Sequence, residues 1–195
     1  MHGSNRLGGN SLSDLVVFGR RAGMAAAERA LEIPGVPEVS EAQIAEVTRR
    51  ATSYFDNVGT EDAYAVHRAL QETMQSLVGI IRVENELLEA KGKLAELEER
   101  ASHCVVEGNL SFNPGWHLAL DLESMLAVSN CTTLSAIERR ESRGGHTRDD
   151  YPGFRPEFEN VNMVTRLVEG NYVVAQEPKP QMPGELARLF EEEVH

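Results

Sequence analysis

One long stretch, from Trp116 to about Glu141, limits the folds open to this chain more than any other feature. A turn signal, Asn113-Pro114-Gly115, comes directly before it. Apolar or small residues lie on two faces of the helix that it predicts, with Leu118, Leu122, Met125, Ser129, Thr132 and Ala136 on one face and Leu120, Ala127, Cys131 and Leu134 on the other. Because such a helix contacts neighbours on both sides, we expect it to be the central helix of a bundle.

Three stretches before it also carry apolar residues at helical spacing. Ser40 and Gln43 form a capping-box pattern ahead of a helix of about five turns. Thr60 is predicted to cap the next helix, with Glu61 in its first turn. The apolar lines are Ile44, Val47, Ala51, Tyr54 and Val58 in the first helix, Ala63, Val66, Leu70, Met74, Leu77 and Ile81 in the second, and Leu87, Ala90, Leu94, Leu97 and Ala101 in a third over 84–101. In the second, Gly79 is predicted to mark a bend or a close helix crossing.

The fold class that follows is mainly α: an antiparallel bundle of three to four helices with a small C-terminal segment that contains a β-hairpin. Residues 163–167 and 172–175 are β-prone and flank the turn Glu169-Gly170-Asn171. A short terminal helix is predicted around Leu186 and Leu189. Three parts are therefore expected: residues 1–32 as a loop and a helix, 38–145 as the bundle, and 146–195 as the irregular C-terminal segment.

Composition excludes several functions. The net charge is −12 and the basic residues do not cluster, so nucleic acid is not an expected partner. No stretch has the roughly 20 apolar residues of a membrane span, and we expect a cytoplasmic protein. The two cysteines stand apart and His67 and His103 lack companion ligands, so no metal site is predicted.

The N-terminal stretch 2–23 combines a single arginine, Arg6, with Gly3, Gly8 and Gly9, and a strongly apolar helix follows. Asn10, Ser11 and Ser13 are candidate helix caps, and the run that continues from Leu12 through 15–18 predicts a buried helix. Free N–H groups at a helix start and a guanidinium beside them suit a carboxylate or a phosphate. A glycine loop before a helix is also common turn chemistry without a ligand.

Two motifs resemble those of the succinate dehydrogenase and fumarate reductase flavoprotein family. The first is H-G-x-N-R-L-G-x-N-S-L at residues 2–12, followed by an apolar helix that ends in F-G-R-x-A-G at 18–23. The second is E-S-R-G-G-H-T-R-D-D-Y-P at 141–152, similar to the family's E-S-R-G-A-H-x-R-x-D-x-P. Ser4 and Gly145 stand where the family usually has alanine, and Val161 where it has tryptophan.

The resemblance implies a site and a cofactor. Arg6 resembles the family's clamp for succinate or fumarate, while Asn10, Ser11 and Leu12 match the positions that lie against FAD. No G-x-G-x-x-G occurs in the chain, so the fold that binds the dinucleotide is absent from this sequence. We therefore expect a C-terminal fragment that is inactive alone. The whole parent would bind FAD, a membrane anchor and an iron–sulfur subunit, lie at the cytoplasmic face of the membrane, and pass electrons to quinone.

Several alternatives stay open from the sequence. Arg143, His146 and Arg148 either contribute to the site or anchor the bundle to the flavin domain, and the anchor is the favoured interpretation. L-aspartate oxidase shares the H-G-x-N-R-L part of the first motif, although the continuation G-G-N-S-L-S-D-L-V-V-F-G-R and the later H-T-R-D-D-Y-P are more similar to succinate dehydrogenase or fumarate reductase. A non-enzymatic acidic helical module is the competing class. If residues 16–18 on the first helix are bare, that favours the enzyme part, and a homo-oligomer could form through the same helix.

Overall fold

The computed structural model describes residues 6, 8–36 and 38–191. The six helices in this part of the chain are α1 Asn10–Glu32, α2 Glu41–Asp56, α3 Ala63–Leu77, α4 Glu84–Ser102, α5 Pro114–Glu138 and α6 Gly184–Glu191. The strands are β1 Ile81–Arg82, β2 Thr147–Arg148, β3 Val161–Val168 and β4 Asn171–Pro178, with a 3-10 turn at Pro156–Phe158. The prediction of a mainly helical fold with a hairpin near the C-terminus is confirmed.

Helix α5 is the central element, as predicted. It packs against α2, α3 and α4 and against both hairpin strands. Its buried residues are Ala119, Leu122, Leu126, Ser129, Asn130, Thr133 and Ala136. The predicted faces were partly wrong, because the predicted Thr132 is exposed, whereas Asn130 and Thr133, which were not predicted, are buried. Asn130 is a polar member of the core, where its side-chain amide donates to Glu98 Oε1 at 2.8 Å and to the Leu126 carbonyl at 3.1 Å.

The core between α3, α4 and α5 follows directly from apolar periodicity. Val66, Leu87, Leu94 and Leu122 are each fully buried. Helix α4 begins and ends within one residue of the predicted stretch, and all but the last of its predicted inward residues are buried. The long-range contacts of this bundle hold the two ends of α5 in place, which fixes where the segment after it begins.

The start of α3 was predicted wrongly. Asp62, not Thr60, is the N-cap, and its carboxylate accepts from the Tyr64 N–H at 3.1 Å. Glu61 lies before the helix in extended backbone that pairs with Cys104, and its carboxylate binds Arg100 at 2.9 Å. That long-range pairing keeps residue 61 out of the helix, which the local sequence does not show.

The end of α3 also differs from the prediction. The helix stops at Leu77, so Gly79 and Ile81 lie outside it rather than at a bend within it. Residues Ile81–Arg82 form β1, which pairs in parallel with β2. This two-residue contact brings the chain before α4 against the segment that follows α5.

The C-terminal hairpin matches the predicted one. Strand β3 pairs antiparallel with β4 from Val161 opposite Pro178 to Val168 opposite Asn171. The two-residue loop, Glu169-Gly170, has φ of 48° and 79°, the left-handed geometry that a tight hairpin requires. Ser135 Oγ of α5 lies 3.0 Å from Thr165 Oγ1 of β3, so the hairpin is fastened to the central helix.

Helix α1 corrects two expectations. It was predicted to be buried, yet none of its 23 residues, all of them described, is buried. Its N-cap is Gly9 at φ 84°, with no side-chain cap from Asn10, Ser11 or Ser13. Similarly, Ser40 stands at the N-cap of α2 without the predicted side-chain hydrogen bond.

Candidate functional site

The N-terminal loop presents the predicted site residues to solvent. Arg6 and Asn10 are exposed, Ser11 is half-buried and Leu12 is 68% exposed. Gly9 takes a left-handed φ of 84°, which a residue with a side chain rarely adopts. A Cβ added at Gly8 or Gly9 would meet no atom within 4 Å. The loop is therefore an open edge against which a planar ligand or another surface can lie closely.

The helix that follows this loop carries an exposed apolar face. Leu12, Leu15 and Val16 are each about 70% exposed, and Val17 and Phe18 are 50% and 44% exposed. Several large apolar side chains exposed close together mark a place where other protein or ligand surface packs. The loop and the helix together form an exposed surface that no described residue covers.

These observations test whether the chain fits FAD. A helix start beside an open glycine turn suits an anionic or polar group of a cofactor, and Asn10, Ser11 and Leu12 are all at least partly accessible there. Residues 8–12 form a surface rather than an enclosing pocket. They fit one edge of a flavin site, and a dinucleotide would need further protein to hold it.

The second predicted group lies at the far end of α5, where Arg148 is fully buried. Its guanidinium binds both carboxylate oxygens of Asp150 at 2.7 and 2.8 Å and Glu84 Oε2 at 2.9 Å. It also donates to the carbonyls of Ala136 and Ile137 at 2.7 and 3.3 Å. Since the last carbonyls of a helix lack partners within it, Arg148 completes the C-terminus of α5.

Asp150 connects this arginine to the start of α4. Its Oδ2 accepts from the Glu84 N–H at 2.8 Å, at the positive end of that helix. The hydrogen bond from Arg148, together with a smaller contribution from the Glu84 amide, lowers the pKa of the Asp150 carboxyl to about 2 against the opposing effect of burial. The Arg148 pKa is raised by the same partners. We call Arg148, Asp150 and Glu84 the Arg148 clamp.

Arg143 belongs to a neighbouring ion pair. Glu141 is fully buried and is bound by Arg139 at 2.7 Å and Arg143 at 3.2 Å. Arg143 also donates to the Phe158 carbonyl at 3.0 Å, and its guanidinium lies 5.6 Å from the centre of the Phe154 ring. These contacts hold the segment after α5 in a fixed path over the end of the bundle.

His146 is held by two contacts of opposite kind. Arg82 Nη1 lies 2.9 Å from Nδ1, and the Arg139 carbonyl lies 2.8 Å from Nε2. Since guanidinium only donates and a carbonyl only accepts, the ring is neutral with its proton on Nε2. Burial lowers the His146 pKa, and the neighbouring arginines lower it further against the opposing effect of the carbonyl.

Sequence reasoning placed Arg143, His146 and Arg148 correctly in one region but missed most of their partners. Glu84, Arg82, Arg139 and Glu141 complete the cluster. The family motif itself includes Glu141, whereas nothing local at residues 82–84 indicated a contact with residues 146–150. The contacts described above for the three residues are all with this chain's own bundle end and C-terminal segment.

Two classes of feature are absent from the described residues. No helix within 6, 8–36 and 38–191 is both long and apolar enough to cross a membrane. The same residues contain no group of three or more histidine, cysteine and carboxylate side chains arranged to hold a metal ion.

Comparison with known proteins identifies the family to which the chain belongs, and the matched region includes the second motif. The family "Fumarate reductase flavoprotein C-term" matches residues 67–175. The chain is 34% identical over 178 residues to a fumarate reductase (CoM/CoB) polypeptide of Methanothermobacter marburgensis, covering 89% of this chain and 31% of that protein. It is 39% identical over 153 residues to the fumarate reductase flavoprotein subunit of Haemophilus influenzae, covering 77% and 26%.

A solved structure shows the same fold. The Mycobacterium smegmatis Sdh1 in complex with UQ1 superposes with a TM-score of 0.90 at 47% sequence identity, over 99% of this chain and 33% of that one. The chain thus spans about a third or less of the length of these relatives. With more than half of its residues matched by the family, the chain belongs to the C-terminal domain family of succinate dehydrogenase and fumarate reductase flavoproteins.

Proposed function

We propose that this chain forms the C-terminal part of a flavoprotein that interconverts succinate and fumarate. The observation that carries the proposal is the exposed side of α1: an arginine and a glycine turn followed by apolar side chains that nothing in the described chain covers. An independent helical module would bury such a face within itself. The relatives named above are fumarate reductases and a succinate dehydrogenase, which supports the same assignment.

Arg6 is the residue to which we assign the substrate. A guanidinium keeps its charge at any working pH and can hold a carboxylate through two parallel hydrogen bonds. A dicarboxylate gripped at one end is fixed in orientation, and this lowers the entropy cost of reaching the reactive geometry. Arg6 is exposed beside the open turn at Gly8, so a substrate can reach it from the uncovered side.

Asn10, Ser11 and Leu12 are the residues that would lie against FAD. When bound, FAD supplies the two-electron chemistry that interconverts the two diacids. This chain contributes the edge at the helix start and the substrate cation. With no G-x-G-x-x-G in its 195 residues, it relies on other protein for the cofactor's main grip and does not turn over succinate by itself.

For Arg143, His146 and Arg148 we propose a structural role. Arg148 is fully buried and engaged by five acceptors, so it is unavailable to a substrate. His146 has both ring nitrogens occupied. The three residues hold the end of α5 and the segment after it in the shape that meets the rest of the flavoprotein.

We further propose that the whole protein binds a membrane anchor and an iron–sulfur subunit, that it lies at the cytoplasmic face of the membrane, and that quinone is its electron acceptor. The relatives point to different acceptors, since one is named for CoM/CoB and another was solved with UQ1. Without the rest of the flavoprotein, the exposed face of α1 pairs with a second copy of the chain. Light scattering at increasing concentration detects that pairing.

The test of the substrate assignment uses Arg6→Lys in the flavoprotein that contains this chain. Losing bidentate contact to a carboxylate costs about 3 kcal/mol, which predicts a drop of about 100-fold in kcat/KM for succinate. Flavin absorbance per protein should stay unchanged. The control is Arg29→Lys, because Arg29 lies on α1, the helix that follows the Arg6 loop, is exposed and, among the described residues, pairs with Glu32. An unaltered kcat/KM in the Arg6 variant would refute the assignment.

A further inference from the structure

A cleft of about 550 Å³ opens beside the C-terminal end of α5, and neither Arg6 nor the Arg148 clamp lines it. Its lining includes Arg82, Arg139 and His146, together with Ser135 on α5 and Asn162 on β3. We call it the Arg82 cleft. None of its nine lining residues, all of them described, is an aspartate or a glutamate. In a chain with a net charge of −12, this cleft is locally basic.

Arg82 is the group that requires an explanation. Its Nε donates to the Val78 carbonyl at 2.9 Å and its Nη1 meets His146. In the described part of the chain it has no carboxylate partner, although it is half-buried. Burial lowers the Arg82 pKa, and the nearby charge of Arg148 lowers it further. A partly buried cation without a counter-ion is costly, and an anion would remove that cost.

Arg139 supplies a second cation with spare hydrogen-bonding capacity. Its Nε and Nη2 are held by Glu141, at 2.8 and 2.7 Å, and Nη1 has no partner among the described residues. Glu141 is shared with Arg143, so one carboxylate serves two guanidinium groups. The cluster is therefore short of negative charge on the side that faces the cleft.

The neutral lining is also suited to an anion. The Asn162 side chain is exposed and its amide has no hydrogen-bond partner among the described residues. Among the described residues, the Ser135 hydroxyl is hydrogen-bonded to Thr165 Oγ1 alone, so one hydroxyl of this pair has its proton free for another acceptor. His146 gives its single proton to the Arg139 carbonyl, and thus fixes the Arg82 guanidinium in place without competing for an acceptor.

From these observations we propose that the Arg82 cleft binds a small oxyanion, a carboxylate or a phosphate, through the guanidinium groups of Arg82 and Arg139. Guanidinium groups are the donors that bind both anions by paired hydrogen bonds. The cleft is large enough for a molecule of a few heavy atoms and is open on one side. This site stands apart from the proposed catalytic edge at Arg6 and does not depend on it.

The experiment titrates the whole 195-residue chain with sodium phosphate and, separately, with sodium succinate. Sodium chloride at equal ionic strength serves as the reference. Calorimetry gives the affinity, and ¹⁵N spectra of the histidine rings report on His146. Saturable binding of either anion, with a shift confined to the His146 ring, is the expected result, and the two titrations show which oxyanion is preferred. If neither anion binds more tightly than chloride, the proposal is wrong.

Variants assign the binding to the cleft. Arg82→Gln should weaken the affinity at least about 10-fold, the loss expected for one charge-assisted pair. Arg166→Gln is the matched control, because this exposed arginine pairs with Glu177 on the hairpin and does not line the cleft. If Arg82→Gln fails to fold, Arg139→Gln gives the same test. Equal affinity in a folded cleft variant and in wild type would overturn the proposal.

Discussion

Replacing Arg148 with methionine removes a buried group that connects three parts of the fold. Its guanidinium contacts the C-terminal carbonyls of α5, the glutamate that begins α4 and Asp150 just after β2. Methionine keeps an unbranched apolar side chain, shorter than that of arginine, and offers no donor. The change therefore separates the hydrogen bonds of Arg148 from its packing.

The expected loss of stability depends on how well water can solvate each group that Arg148 leaves without a partner. Removing one member of a buried ion pair usually costs about 3 to 5 kcal/mol. The side chains of Glu84 and Asp150 are 34% and 29% exposed, so water can solvate them again. The Ala136 residue is buried and its carbonyl cannot regain a partner as easily. We therefore expect Arg148→Met to reduce the free energy of unfolding by about 3 kcal/mol, near the lower limit of that range.

Urea unfolding followed by circular dichroism measures this loss. With an m-value of about 2 kcal/mol per molar urea, the midpoint should fall by about 1.5 M. Arg148→Lys keeps the charge but loses the paired N–H donors of the guanidinium. Its urea midpoint should therefore lie between those of wild type and the methionine variant. Arg166→Met, at an exposed ion pair, should cost under about 1 kcal/mol. If Arg148→Met shifts the midpoint no more than Arg166→Met does, the clamp does not stabilise the fold.

Three further changes test other parts of the structure by the same unfolding assay. Gly59→Ala should destabilise the fold by about 2 kcal/mol, because the added Cβ would lie 1.8 Å from the His103 carbonyl oxygen. A variant as stable as wild type would contradict the close packing at this position. Gly92→Ala, in open space inside α4, should stabilise by about 1 kcal/mol, and any loss of stability would show a contact that the structure lacks. Since the folded-state pKa of Asp150 is lowered to about 2 from 3.8, its stabilising effect is complete above about pH 4 and is lost as the pH falls toward 2. Asp150→Asn should flatten this acid limb, and an unchanged pH profile would exclude Asp150 as its source.

The elements predicted well are those whose signals are local. Helix α4 and the hairpin at Glu169-Gly170 are each specified by periodicity or by turn chemistry within the element. The predicted start of α3 was wrong because Thr60 and Asp62 are both good cap residues, and only the distant pairing of Glu61 with Cys104 decides between them. Local propensity ranks candidate cap residues, but it cannot identify the actual cap when a long-range contact determines where the helix begins.

The candidate site divides in the same way. The resemblance of two motifs pointed to Arg6 and to the group around Arg148, since family motifs carry spatial information that spacing does not. The partners Arg82 and Glu84 came only from the structure, because they lie 64 residues before His146 and Arg148 in the chain. Contacts between residues so far apart in the chain produce no periodic pattern in the sequence from which they could be predicted.

Helix α1 shows what apolar patterning does and does not specify. Its run of Leu15, Val16, Val17 and Phe18 predicts a buried helix, whereas these side chains are exposed in the structure, and the pattern does not specify which protein surface would cover them. At roughly 25 cal/mol for each Å² removed from water, covering these four side chains and Leu12 is worth several kcal/mol. The five lie within about three turns of Gly9, so whatever covers them also closes the open side of the Arg6 loop. Under the proposed assignment of the substrate to Arg6, substrate access and domain association are linked through one helix, and a surface variant such as Val16→Asp should weaken both together.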